Sequence, residues 1–149
     1  MSRFRFRLAT LVKLREGLRD ERRAELAQAL EAREVLDQRI AEVESELTAL
    51  KEDCRAVVSV GAVQVDHLLD ASRYELVLRS QQATYVQYGT TLDEEIARRR
   101  AALVAADRDV RVLEKLRETQ LQRHRSDESR AEAKLLDEIG LARREEERS

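Results

Sequence analysis

Apolar residues recur along most of this chain at alternating intervals of four and three, and the pattern fails once, near residue 60. The most regular run is Ala29, Arg33, Leu36, Ile40, Val43, Leu47, Leu50, Cys54 and Val57. A helix whose apolar positions repeat every ~3.5 residues presents a narrow seam suited to one neighbouring helix. Upstream, Leu8, Leu11, Val12, Leu14, Arg15 and Leu18 form a stripe. Leu18, Arg22 and Leu26 are then spaced four and four, a stutter that locally relaxes a left-handed supercoil. Within the seam, the long stem of Arg33 can cover apolar surface while its charge reaches water, and Cys54 reads as a small buried hydrophobe.

Between Val57 and Asp66 the charges disappear, five valines crowd together, and Ser59 and Gly61 supply residues that tolerate non-helical backbone. Asp66 stands where an N-cap restarts the helical pattern. The second run reads Leu69, Arg73, Leu76, Ser80, Ala83 and Val86, with Tyr74, Leu78, Tyr85 and Tyr88 beside it. Gly89 costs a helix about 1 kcal/mol relative to Ala and is expected to mark a slight bend. Regular spacing resumes with Leu92, Ile96, Arg99, Leu103, Ala106, Val110 and Leu113. From Gln120 to Glu132 the seam almost vanishes, leaving Leu121 as its anchor, before a compact group of Leu135, Leu136 and Ile139.

The pattern predicts an all-α fold: two long helices in an antiparallel coiled-coil hairpin, the second overhanging the first. Helices are expected at roughly 7–58 and 66–147, with the bend at about 59–65, in one elongated domain spanning 1–149. At ~1.5 Å per residue the arms would measure roughly 75 and 120 Å. Folding at Gly61 brings together residues whose numbers sum to about 123, so that Leu47 faces Leu76 and Leu11 faces Leu113. Everything after about Gln120 then lacks a partner, which leaves Leu135, Leu136 and Ile139 exposed as a docking group, with Phe4 and Phe6 at the same end.

Composition agrees with this reading. Charged residues make up 39% of the 149, aromatic residues 3%, and there is no proline or tryptophan. That composition belongs to coiled coils rather than to globular cores built on aromatic bulk. With 28 basic and 30 acidic groups the net charge is −2, and the interspersed signs describe solvated helix faces rather than a nucleic-acid surface. The Arg98-Arg99-Arg100 triplet has Asp93, Glu94 and Glu95 close by on the same helix and reads as an ion-paired face. Locally, residues 1–23 carry eight basic groups against three acidic ones. Residues 3–7 alternate Arg and Phe, formally a strand pattern but too short to decide anything. No segment approaches the ~18 apolar residues of a membrane span, and the N-terminus lacks the apolar core of a secretory signal. One cysteine cannot make an internal disulfide, which fits a cytoplasmic protein.

Chemistry for catalysis is missing from the pattern. His67 and His124 stand in no metal-ligand spacing with Cys54, no phosphate-binding glycine loop occurs, and no serine sits in a nucleophile elbow. We expect no enzyme activity, no cofactor and no metal; function should reside in surfaces that meet other proteins.

Two stretches carry a family resemblance. Phe4-Arg5-Phe6-Arg7-Leu8, continuing through Leu11 to Arg15-Glu16, resembles the F-x-F-R-L-x-x-L-x-x-x-R-E opening of the bacterial flagellar export protein FliJ family. Leu113-Glu114-Lys115-Leu116, followed by Arg130 to Ile139, is similar to that family's closing L-E-K-L and R-x-E-x-K-x-x-D-E-I. The resemblance implies a cytoplasmic, non-enzymatic stalk of the flagellar type III secretion apparatus, similar to the gamma subunit of rotary ATPases and associated with the membrane only through that apparatus. Its implied partners are the hexameric export ATPase, which it binds and activates, the membrane protein of the export gate, and export chaperones. Nucleic acid binding and direct membrane insertion are not implied. Phe4, Phe6, Leu8, Leu11, Leu135, Leu136 and Ile139 would belong to the ATPase-facing end. Tyr74, Leu78 and Tyr85, near the bend, are placed by position alone as the contact to the gate. A passive coiled-coil scaffold is the alternative; a basic zipper on DNA is disfavoured because it needs a continuous parallel dimer.

Overall fold

The computed structural model describes residues 3–61 and 64–149, so Ala62 and Val63 of the expected bend, and Met1 and Ser2 at the N-terminus, lie outside the described residues. Two helices, α1 (Ala9–Ser59, 51 residues) and α2 (Val65–Arg148, 84 residues), pack against each other in an all-α hairpin. Among the described residues there is no strand. The boundaries fall within two residues of those read from periodicity. At the end of α1, Gly61 takes a φ of 76°, the left-handed conformation that glycine adopts without steric cost. Asp66 lies one residue inside α2, in its first turn, and not at the cap. There its negative charge favours the exposed N–H groups and dipole of the helix start.

The chain divides into two compact units, Glu21–Leu103 and Met1–Asp20 with Val104–Ser149. The first division point, between Asp20 and Glu21, falls inside the Leu18–Arg22–Leu26 stutter.

In the unit Glu21–Leu103, every seam position read on α1 from Ala29 to Val57 is buried or half-buried. A buried cluster joins Val43 and Leu47 of α1 to Leu78 of α2, with Leu50 and Tyr85 against them. The segments run antiparallel: Tyr74 meets Glu46, Asp93 meets Arg33, and Arg99 meets the backbone of Glu25. These pairs stand close to the sum of 123 that counting from Gly61 requires.

The seam on the first half of α2 is a correction. Leu69, Arg73, Leu76, Ser80, Ala83 and Val86 are all exposed, Leu76 at 69%. The inward positions are Leu68, Ala71, Glu75, Leu78, Gln82, Tyr85, Gly89 and Leu92, each buried or half-buried. Their alternation of three and four continues without interruption into Ile96, Arg99 and Leu103. Two apolar phases with equal numbers of aliphatic residues coexist in this stretch, and the one read from the sequence faces outward. Leu47 accordingly packs with Leu78, not Leu76. Gly89 is a buried position within this seam, and α2 runs through it unbroken.

In the other unit, Val12 of α1 and Ala106 and Val110 of α2 are buried, Val110 at 1% exposure. Arg15 Nη1 donates to Asp109 Oδ2 across the helix pair at 3.4 Å. From Ser129 onward every residue of α2 is exposed.

Candidate partner-facing surfaces

Residues 3–6 precede α1 without regular structure, so their Arg-Phe alternation is not a strand. It sorts side chains all the same. Phe6 is buried and Phe4 half-buried, while Arg3, Arg5 and Arg7 are exposed. The Phe6 carbonyl accepts from the Ala9 N–H at 3.4 Å, tying the segment to the first turn of the helix. The ring of Phe4 lies 5.6 Å from that of His124 on α2, tilted at 45°, in the range of favourable edge contacts between rings. His124 in turn faces Glu128, its Nε2 3.3 Å from Oε1. The N-terminal segment thereby reaches α2 as far as this turn, and beyond it every residue of α2 is exposed.

Of the residues expected at this end, Phe6 is core, Phe4, Leu8 and Leu11 are half-buried, and Leu135, Leu136 and Ile139 are exposed, Leu136 at 68%. The last three fall at helical spacings of three and four and so share one face. Leu141 is equally bare and was missed, because it stands outside that spacing.

Near the bend the three expected residues separate. Leu78 is 2% exposed at the centre of the core cluster. It therefore offers a partner no surface. Tyr85 is half-buried against the same cluster. Tyr74 is exposed, and its hydroxyl donates to Glu46 Oε2 at 2.7 Å. That bond, strengthened by the charge of Glu46, raises the Tyr74 pKa above the ordinary 10.0. The surface here is instead formed by Leu76, Val77, Val86 and Tyr88, all more than half exposed. For Leu76 and Val86 the sequence signal was the apolar phase of α2 assigned above to the core; Val77 and Tyr88 lie outside that phase.

Charged groups elsewhere in the unit Glu21–Leu103 pair as expected of solvated faces. Glu95 accepts from Arg98 and Arg99, and these bonds lower its pKa below 4.5 against the opposing effect of desolvation. Among the described residues no group of three or more His, Cys, Asp or Glu side chains could hold a metal ion. No described helix is long and apolar enough to cross a membrane.

An α-helical hairpin with its N-terminal aromatic residues folded onto α2 and a bare amphipathic C-terminal end fits a comparison over almost the whole chain. The family described as Flagellar FliJ protein matches residues 4–148. The chain belongs to the FliJ family. No curated protein and no solved structure matches it. The match spans both stretches that carried the resemblance, from Phe4 to Glu16 and from Leu113 to Ile139. Membership implies a role in flagellar export, in a family of non-catalytic components.

Proposed function

We propose that this FliJ-family chain is a stalk of the flagellar type III export apparatus, located in the cytoplasm and joined to the membrane only through that apparatus. It binds and activates the hexameric export ATPase, couples it to the membrane protein of the export gate, and escorts export chaperones. It performs no chemistry itself. The observation that carries this reading is the bare face of Leu135, Leu136 and Ile139, on a helix end that no residue of α1 covers. An aliphatic face at helical spacing is what a partner groove recognises. Phe4, Leu8 and Leu11 supply the neighbouring apolar edges, and Phe6 holds their segment in place from inside. For the gate, the supporting surface is Tyr74 with Leu76, Val77, Val86 and Tyr88, together with the outer edge of Tyr85.

The test is ATP hydrolysis by the purified export ATPase with and without the full chain. Stimulation is expected with the intact protein and is lost when residues 130–149 are removed. Undiminished stimulation by the truncated chain overturns the ATPase-facing assignment.

A further inference from the structure

The N-terminal segment and the two helices it touches line an open cavity of about 820 Å³. Phe4 and Phe6 line it together with four cations, Arg3, Arg5, Lys13 and Arg117. All four are exposed, and none has an ion-pair partner among the described residues. Among the described residues of the lining, Glu16 is the only acidic group. The Arg-Phe alternation is thus put to use: the rings form an apolar wall, and the guanidinium groups stand at the rim with their donors unclaimed.

From this arrangement we infer that the cavity is a docking site for an acidic segment of a partner protein, one with an apolar side chain between carboxylates. The apolar side chain fills the space beside Phe4 and Phe6, and the carboxylates bridge Arg3 or Arg5 on one side and Lys13 or Arg117 on the other. Charge-assisted bonds to guanidinium groups are stronger than neutral ones and set orientation, while clustered like charge steers an oppositely charged partner inward. A nucleotide or free phosphate fits less well. The cations are spread over the segment, α1 and α2 rather than converging on one point, and no glycine-rich loop supplies backbone donors. The inference rests on the reading of this end as partner-facing and adds the chemistry of what it meets.

The experiment uses the full chain and a fluorescein-labelled short peptide of Asp and Glu around one Leu, followed by anisotropy. Binding is expected to exceed that of a matched Lys peptide by at least about tenfold, and to weaken as salt rises from about 50 to 500 mM, which shortens the screening length. Arg5→Glu with Lys13→Glu should weaken it about tenfold or more. Arg117→Glu, on the other helix, should weaken it in the same direction without touching the N-terminal segment. Arg55→Glu, an exposed charge far along the chain, is the control for net charge and should leave binding unchanged. Equal loss with Arg55→Glu, equal affinity for the Lys peptide, or full competition by ATP or inorganic phosphate at similar concentration overturns the inference. No ATPase is present in this assay, so its failure leaves the stimulation test standing, and the reverse.

Discussion

The Arg33 guanidinium lies across Gly89: a β-carbon at position 89 would stand 2.8 Å from Arg33 Nη1, while Arg33 Nε donates to Asp93 Oδ1 at 2.9 Å. A long cation has entered the helix seam because the facing position carries no side chain. Asp37, one turn along α1, lies 3.1 Å from Nη1 and holds the group from the other side. A single polar side chain at a seam position is a recognised means of fixing register.

Gly89→Ala should therefore gain less than helix propensity alone promises. The propensity term is about 1 kcal/mol, but the added methyl displaces Arg33 from Asp93, a partly exposed pair worth roughly 0.2–1 kcal/mol. In an Arg33→Ala background the full gain of about 1 kcal/mol is expected. Urea unfolding of the four proteins of this cycle checks it; identical gains in both backgrounds would show that the two residues do not interact.

The phase of α2 can be tested by a pair of truncations two residues apart. Leu78→Ala should destabilise by about 2–5 kcal/mol, the usual range for a filled core position. Leu76→Ala, on the exposed phase, should stay within about 0.5 kcal/mol. Chemical denaturation midpoints decide between them, and a reversed order would restore the phase first read from the sequence.

Acid should act on Glu95. Its pKa lies below 4.5 in the folded chain because Arg98 and Arg99 donate to it. A depressed pKa contributes stability above the unfolded value, and that contribution disappears as pH falls through the folded one. NMR titration should find Glu95 ionising below 4.5, and Arg98→Ala should move it upward. Tyr74 has the opposite sign. Its raised pKa favours the folded state below pH 10.0, a contribution lost as pH rises further, and Tyr74→Phe should remove that alkaline dependence.

Removal of residues 130–149 should leave folding nearly intact, since every residue there is exposed. Circular dichroism melting of the truncated chain measures this. A large drop in melting temperature would mean that the end is held by packing, and that loss of ATPase stimulation could come from unfolding.

Much of this protein was legible in its sequence because helix periodicity is a local property. The seam of α1 from Ala29 to Val57, the turn at Gly61, the antiparallel register counted from it and the bare group at Leu135, Leu136 and Ile139 all follow from spacing along one strand of chain. Residue types alone were enough there, since each position has one plausible side to bury.

The tertiary structure decided what spacing left degenerate. On α2 between Leu68 and Leu92 two neighbouring phases, with equal combined numbers of leucine and valine, could each have formed the seam. Val43 and Leu47 of α1 take up Leu78, and Arg33 takes up Gly89, so the inward phase is set by the partner helix rather than by local hydrophobicity. The same holds for Phe4 and Phe6, whose alternation with arginine had no meaning until α2 supplied His124 and Arg117 to fold against. Burial is a property of pairs of surfaces, and a single helix carries only half of each pair.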